Sequence, residues 1–230
     1  MLRAALTDFF HLFFPNVCVL CGQPLVSGER EVCLQCLTGQ PHTGFALRPD
    51  NPMEQLFWGR AEAVRRAAAL FYFEKGSQAQ RLIHLVKYHG HTELGRALGR
   101  YAAHDTQGSP LAGADVIVPV PLHPKRLRAR GYNQSELIAE GLAEVWGLPV
   151  DGTGLRRARF NLTQTRKGVY ERWENADGIF EVTDPARYQG KTVLLVDDVA
   201  TTGATLCAAA QALGAVPGTR VYCFCLAIAR

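Results

Sequence analysis

The sequence contains no apolar run approaching the roughly 18 residues that a membrane-spanning helix needs. It also lacks a strong excess of charge, because the formal net charge is only +4 and the pI is near 8.7. This mild surplus suits anionic ligands and permits contact with nucleic acid without requiring it. A secretory signal is not predicted either, since Asp8 and His11 interrupt the apolar N-terminus and no small-residue cleavage site follows. We therefore expect a cytoplasmic protein without stable membrane insertion.

Length and composition predict one α/β domain with a small appendage, because 230 residues that are 47% hydrophobic can bury one full core. We expect a helix and a cysteine module over residues 1–45, a linker over 46–66 and the α/β domain over 67–230. Apolar residues at helical spacing predict a short amphipathic helix that ends at Pro15 and packs on its own domain rather than on a membrane. These residues are Leu2, Ala5, Leu6, Phe9, Phe10 and Phe13.

Four cysteines near the N-terminus form two CxxC pairs with eleven residues between them, Cys18 with Cys21 and Cys33 with Cys36. Each CxxC turn can present two sulfur atoms to one tetrahedral zinc ion. Disulfide bonds are the alternative, but a chain without a secretory signal is expected in a reducing compartment, which favours zinc. With four cysteine ligands such a site is closed, so its zinc would stabilise the fold rather than catalyse.

The stretch from Thr192 to Leu206 reads TVLLVDDVATTGATL, and it contains the strongest functional signal of the chain. The apolar run Val193–Val196 predicts a strand of a parallel sheet that is buried on both faces. Asp197 and Asp198 follow at its carboxyl end, where open α/β sheets bind ligands. A small turn with hydroxyl groups comes next, and then an apolar helical pattern.

This turn has the chemistry of an anion site. Free backbone amides at the start of a helix bind anions, Gly203 and Ala204 permit close approach, and threonine hydroxyls add donors. The two carboxylates would repel a phosphate, so they are expected to accept hydrogen bonds from sugar hydroxyls or to engage a magnesium-bound ligand. The stretch therefore predicts a sugar-phosphate site, although an acidic turn that only caps a helix is the alternative.

A second polar segment follows the predicted strand Asp115–Val120 and precedes a predicted helix from about Ser135 to Trp146. It is a basic loop with four cations within six residues, namely Lys125, Arg126, Arg128 and Arg130. Its place after a buried strand favours a pyrophosphate ligand over a nucleic-acid patch or a solvated surface. Lys87, near the end of an earlier predicted helix, is a further candidate for a phosphate contact.

Two of these segments resemble a known family. VLLVDDVATTGATL resembles the phosphoribosyl pyrophosphate (PRPP) signature of type I phosphoribosyltransferases. PVPLHPKRLRARGYNQSE resembles the ComF branch of that fold, the competence protein F group with the GntX proteins, which also begins with a CxxC…CxxC module. The resemblance covers nearly the whole chain and implies a parallel sheet flanked by helices. Ala200 is a departure, because relatives often carry a larger aliphatic residue there.

The resemblance also implies a division of the site. The catalytic acidic pair Asp197 and Asp198 would hold the ribose of PRPP, which binds with magnesium. The remaining residues of the ribose and 5'-phosphate side would be Ala200, Thr201, Thr202, Gly203, Ala204 and Thr205. The pyrophosphate side would comprise Lys125, Arg126, Arg128, Arg130, Gly131, Asn133 and Gln134, with Lys87 as an additional candidate.

A third segment, residues 155–167, is basic and lacks apolar periodicity. It resembles the flexible loop that closes over PRPP in amidophosphoribosyltransferases, which implies that Arg159, Gln164 and Arg166 contact the ligand. Closure would exclude water from a substrate that hydrolyses readily. An ordinary solvated loop is the alternative for each of these residues.

The implied activity is transfer of the phosphoribosyl group to an acceptor with release of pyrophosphate. Because Met1-Leu2 offers no N-terminal cysteine nucleophile, we do not expect a complete glutamine-dependent amidophosphoribosyltransferase. Two alternatives stay open. One is a DNA-uptake factor that handles single-stranded DNA or a competence helicase, for which Tyr88 and Tyr132 are the stacking candidates, and the other is a regulator that senses PRPP without turnover.

Overall fold

The computed structural model describes residues 16–88, 90–158 and 178–229, and the predicted N-terminal helix lies outside them. The helices of this part of the chain are α1 (Leu34–Thr38), α2 (Pro52–Gln55), α3 (Gln78–Tyr88), α4 (Thr92–Asp105), α5 (Pro124–Arg130), α6 (Gln134–Trp146) and α7 (Ala204–Gly214). The strands are β1 (Val64–Phe73), β2 (Val116–Pro119), β3 (Leu155–Arg157), β4 (Phe180–Val182), β5 (Thr192–Ala200) and β6 (Arg220–Ala229).

Four of these strands form a parallel sheet in the order β1-β6-β5-β2. Helices α6 and α7 pack against β5, while α3 contacts β1 and α4 contacts β6. The apolar run Val193–Val196 is fully buried in the centre of this sheet, as expected for a parallel strand covered on both faces. The predicted fold class, a parallel sheet flanked by helices, is confirmed.

A separate two-stranded antiparallel sheet pairs β3 with β4. Its two strands flank, in the sequence, the segment that contains Arg159, Gln164 and Arg166. These three loop candidates lie outside the described residues. No helix of the described ranges is long and apolar enough to cross a membrane.

The structure differs from the sequence predictions at three places. Strand β5 runs from Thr192 to Ala200, so it does not end at Val196 but continues through the acidic pair and Ala200. The basic segment forms the short helix α5, with His123 as its N-cap and Gly131 at φ 85° as its C-cap, and not a loop. Residues 46–66 include α2 and place Met53 in the core, although a linker was predicted there.

Candidate functional site

The acidic pair lies at an open edge of the sheet because its two neighbouring strands differ in length. Strand β2 ends at Pro119, which pairs with Val196 of β5. On the other side, β6 continues to pair with β5 as far as Ala200. Asp197 and Asp198 therefore lie beyond the carboxyl end of β2 while β6 still holds their backbone in place.

Asp197 is buried against the start of helix α6. Its Oδ1 accepts hydrogen bonds from the Ser135 hydroxyl and from the backbone amide of Asp198, both at 2.9 Å. Burial, followed by the negative charge of Asp198, raises the pKa of Asp197 to about 7, although the two hydrogen bonds and the charge of Lys87 oppose the rise. Ser135 was not among the predicted site residues. The feature of the sequence that could have identified it is a hydroxyl side chain on the buried face of the helix that directly follows the basic segment.

Asp198 pairs with a cation from another element. The Nζ atom of Lys87, at the end of α3, lies 3.0 Å from Asp198 Oδ2. That contact lacks hydrogen-bond geometry, and Oδ2 is buried without a hydrogen bond from any described residue. Lys87 thus offsets part of the negative charge of Asp198, while Oδ2 of Asp198 keeps its capacity to accept a hydrogen bond.

The end of β5, the turn after it and the start of α7 form a cup that, in the part of the chain the structure describes, is lined by residues 199–206. Gly203 caps helix α7 with φ +76°, a conformation that glycine adopts without strain. A Cβ atom at Gly203 would also lie 3.2 Å from side-chain atoms of Leu56. The hydroxyl of Thr202 accepts a hydrogen bond from the amide of Ala204 at 3.4 Å, and Thr201 is exposed. Leu56, which supports this turn, was not among the predicted site residues.

Helix α5 presents the four predicted cations. Lys125 and Arg128 are exposed, whereas Arg126 and Arg130 are half-buried. The guanidinium of Arg130 donates a hydrogen bond to Gln134 and lies 5.3 Å from the ring centre of Tyr88. The helix therefore offers positive charge at the same end of the molecule as the last residues of α3.

The residues between α5 and α6 hold the junction of these two helices in place. The side-chain amide of Asn133 donates to the carbonyl of Val120 at 3.1 Å, and its oxygen accepts from the amide of Ser135 at 3.2 Å. The Tyr132 hydroxyl donates to the carbonyl of Val86 at 2.6 Å. The end of β2, the end of α3 and the start of α6 are thereby tied together around the acidic pair.

The four N-terminal cysteines converge in the folded chain. Their sulfur atoms all lie within 4.8 Å of one another, and Cys21 Sγ and Cys33 Sγ are 3.8 Å apart. Four sulfur atoms placed about 2.3 Å from a zinc ion form a tetrahedron with edges of about 3.8 Å. All seven cysteines are free thiols, so the cluster has the donor set and the spacing of a metal site and contains no disulfide bond.

The protonation of this cluster also fits a bound cation. Burial acts to raise the pKa of Cys18, but hydrogen bonds from the backbone amides of Cys33, Cys21 and Leu20 lower it to about 6. In contrast, burial and the neighbouring sulfur atoms raise the pKa of Cys36. Four adjacent thiolates repel one another without a metal, so a cation is needed for all four to ionise.

Comparisons with known proteins agree with this architecture. A family described as phosphoribosyl transferase domain matches residues 135–230, which include β5, the acidic pair and the following turn. DNA utilization protein YhgH of Salmonella typhi is 30% identical over 230 residues, which cover 93% of this chain and 98% of that protein. Competence protein F of Haemophilus influenzae is 33% identical over 93 residues, 40% of this chain and 41% of its own length.

Among solved structures, a glutamine PRPP amidotransferase from B. subtilis aligns with 63% of this chain and 30% of its own, with a TM-score of 0.43 and 21% identity. The full-length similarity to the Salmonella typhi protein is the stronger finding, and it extends over the cysteine cluster and the sheet alike. The chain belongs to the family of DNA utilization protein YhgH and the ComF competence proteins, with a phosphoribosyl transferase domain in its C-terminal part.

Proposed function

We propose that this chain binds PRPP with magnesium at the carboxyl edge of its parallel sheet. The observation that carries the proposal is that strand β5 places a buried acidic pair next to a glycine turn at the start of helix α7, where backbone amides are able to bind an anion. A sugar phosphate needs both features about one sugar ring apart, because its hydroxyls seek acceptors and its phosphate seeks donors.

On the ribose side, Asp197 and Asp198 would accept hydrogen bonds from the two ribose hydroxyls. Asp198 Oδ2 is suited to this role because no described residue donates a hydrogen bond to it. The 5'-phosphate would lie in the cup of residues 199–206, where the amides at the start of α7 and the threonine hydroxyls are donors. Its residues would be Thr201, Thr202, Gly203, Ala204 and Thr205, with Ala200 below them in the strand.

On the pyrophosphate side, the cations of α5 would bind the diphosphate group, and Gly131, Asn133 and Gln134 would hold the junction that orients them. Magnesium, when bound with PRPP, would offset the charge of the diphosphate and make it a better leaving group. Lys87 would then be able to leave Asp198 and contact the diphosphate. Arg159, Gln164 and Arg166 are proposed to cover the ligand.

Turnover would transfer the phosphoribosyl group. The bond between C1 of the ribose and the pyrophosphate oxygen breaks, its electron pair leaves with pyrophosphate, and a lone pair of the acceptor forms the new bond to C1. An acceptor N–H or O–H group gives its proton to the departing pyrophosphate or to water. The side chains of the site would act by holding charge and geometry, without a covalent intermediate on the protein. A regulator that senses PRPP would use the same site and omit this step.

Isothermal titration calorimetry of the full chain with PRPP and magnesium tests the binding site. We expect the double variant Asp197→Asn with Asp198→Asn to weaken binding by about 100-fold or more. The matched control is Asp115→Asn at the opposite end of β5, where Asp115 Oδ2 accepts from the amide of Thr192 at 2.7 Å. Wild-type affinity in the double variant would contradict the assignment.

For the cysteine cluster we propose a structural zinc ion held by Cys18, Cys21, Cys33 and Cys36. We also propose that the protein is in the reducing cytoplasm, where these thiols would not form disulfide bonds. Elemental analysis should find about one zinc per chain, and Cys21→Ser should lower it. Cys207→Ala changes a buried thiol outside the cluster and should leave the zinc content unchanged. A metal-free protein that unfolds at the same temperature as the zinc-loaded protein would contradict a structural role.

A second candidate function is favoured by the names of the relatives, DNA utilization protein and competence protein. In this alternative, the exposed cations of α5 and the ring of Tyr88 contact single-stranded DNA, or the same surface meets a competence helicase. Binding of a single-stranded oligonucleotide should then fall steeply with salt and persist in the double aspartate variant. If the oligonucleotide does not bind at low salt, direct contact with DNA is excluded.

A further inference from the structure

Arg157, the last residue of β3, is held in an unusual environment. Its guanidinium carbon lies 5.4 Å from the ring centre of Phe180, its cross-strand partner in β4. Its Nε atom is buried and donates no hydrogen bond to any residue that the structure describes. The adjacent Arg156 behaves differently, because it is exposed and pairs with Glu181 at 2.7 Å.

The charges around Arg157 come from the two sides of the candidate site. Burial lowers the pKa of Arg157, the positive charge of Arg126 lowers it further, and the negative charge of Asp197 opposes both. Arg157 therefore lies within electrostatic reach of helix α5 and of the acidic pair together. A half-buried cation next to another cation is unfavourable in the ligand-free protein unless an anion joins them.

No ion pair within the described part of the chain offsets the unfavourable burial of the Arg157 charge. None of the ion pairs found among the described residues includes Arg157, and its ring contact with Phe180 is a weaker interaction than an ion pair with a carboxylate. Exposed arginines elsewhere in this chain, such as Arg156 and Arg187, do find carboxylates. Residues that break a local rule without compensation tend to mark functional positions.

We propose that Arg157 is an additional anion-binding residue that contacts the diphosphate group of the ligand together with the cations of α5. This inference rests on the proposed function, since it assigns a further contact in the same PRPP site. A planar guanidinium can donate two parallel hydrogen bonds to a phosphate, and the contact with the ring of Phe180 restricts the positions that this guanidinium can take. The diphosphate would satisfy the Nε–H group and separate the charges of Arg126 and Arg157.

The test compares Arg157→Gln with Arg156→Gln in the full chain, and it uses separate halves of the ligand as probes. With magnesium present, calorimetry measures inorganic pyrophosphate, ribose 5-phosphate and PRPP. We expect Arg157→Gln to weaken pyrophosphate and PRPP by about tenfold or more, while ribose 5-phosphate changes by less than about twofold. Arg156→Gln should leave all three affinities within about twofold.

Thermal unfolding of the ligand-free protein separates binding from structure. Because Arg157→Gln removes a half-buried charge that has no ion pair with any described residue, its unfolding midpoint should equal or exceed that of wild type. If the midpoint falls clearly while pyrophosphate binding is unchanged, Arg157 is structural and the inference is wrong. If Arg157→Gln does not fold, Arg157→Lys decides: weaker pyrophosphate binding supports the inference, and wild-type binding overturns it.

The same titrations distinguish this inference from the proposed function. If wild-type protein binds PRPP and the Arg157→Gln variant binds it with the same affinity, only the role of Arg157 is refuted. Wild-type protein that binds neither PRPP nor pyrophosphate refutes the site itself and the role of Arg157 with it.

Discussion

Asp151 and Asp197 are both carboxylates in contact with the folded core, but their surroundings are opposite. Asp151 Oδ1 accepts hydrogen bonds from the amides of Thr153 and Gly154 at 3.0 and 2.9 Å, and Oδ2 accepts from the Tyr188 hydroxyl at 3.0 Å. Burial acts to raise the pKa of Asp151, but these hydrogen bonds outweigh it and lower the pKa to about 2. For Asp197, burial and the adjacent Asp198 prevail, and they raise the pKa to about 7.

The difference separates a carboxylate that stabilises the fold from one that, under the proposed function, accepts hydrogen bonds from a ligand. Asp151 and its partners form the base of the β3–β4 hairpin, here called the hairpin base, in which Arg187 completes an ion pair at 3.1 Å. The acidic end of β5 holds two negative charges with fewer donors and one lysine. A group that destabilises the free protein is expected where function requires it.

The largest effect is predicted for Gly154 in the hairpin base. A Cβ atom at Gly154 would overlap the Tyr188 hydroxyl and lie 2.5 Å from Asp151 Oδ2. Because Tyr188 is fully buried and cannot move aside cheaply, Gly154→Ala should lower the free energy of unfolding by about 3 kcal/mol. Urea denaturation measures this loss. Gly152→Ala is the control, since only the flexible side chain of Glu136 lies near its Cβ position; an equal loss in both variants would contradict the packing argument.

Asp151→Asn should have the next largest effect, and it should depend on pH. The folded pKa near 2 is below the ordinary value of 3.8, so the stabilisation is complete above about pH 4 and disappears as the pH falls toward 2. We expect a loss of about 2 kcal/mol at pH 6. Denaturation curves of wild type and variant should converge near pH 2, and curves that stay parallel would show that the charge of Asp151 is not the cause.

Asp197→Asn should act in the opposite direction. A carboxyl whose pKa is raised in the folded state stabilises the fold below its unfolded pKa near 4, and this contribution is lost as the pH rises to about 7. The asparagine variant removes the ionisation, so above pH 7 it should be as stable as wild type or more stable by about 1 kcal/mol. It should also lose PRPP binding. If the Asp197→Asn variant is less stable than wild type at pH 8, the prediction that Asp197 and Asp151 affect stability in opposite directions is wrong.

The sequence predicted the local structure of those parts of the candidate site whose residues are neighbours along the chain. Strand, acidic pair and turn follow one another between Thr192 and Thr205, and each CxxC pair brings its own two sulfur atoms together, so local patterns were sufficient. The extension of β5 through Asp198 was not predictable, because it depends on the length of β6, which continues to Ala229.

Contacts between distant parts of the chain account for most of what was missed. Ser135 reaches Asp197 across 62 positions, and the turn at Gly203 rests on Leu56, which was predicted to be in a linker. Asn133 looked like a ligand contact because it is polar and next to the cations, but both ends of its amide are used within the protein. Such roles are set by the tertiary fold and leave no periodic signal in the sequence.

The smallest predicted effect concerns Gly203, the counterpart of Gly154 at the acidic end of β5. Gly203→Ala would strain a φ of +76° and bring a Cβ to 3.2 Å from the flexible side chain of Leu56, so we expect a loss of about 1 kcal/mol in stability. Ribose 5-phosphate affinity should fall more clearly, by about tenfold, because the turn that would hold the phosphate must shift.

Gly131→Ala is the matched control for this last prediction. Gly131 has a φ of +85°, and nothing lies within 4 Å of its Cβ position, so the variant carries the backbone strain without the contact with Leu56. We expect a similar loss of stability and an unchanged affinity for ribose 5-phosphate, measured by calorimetry. If both variants weaken ribose 5-phosphate equally, the effect comes from general loosening of the structure. The cup of residues 199–206 would then be no more specific for phosphate than the junction between α5 and α6.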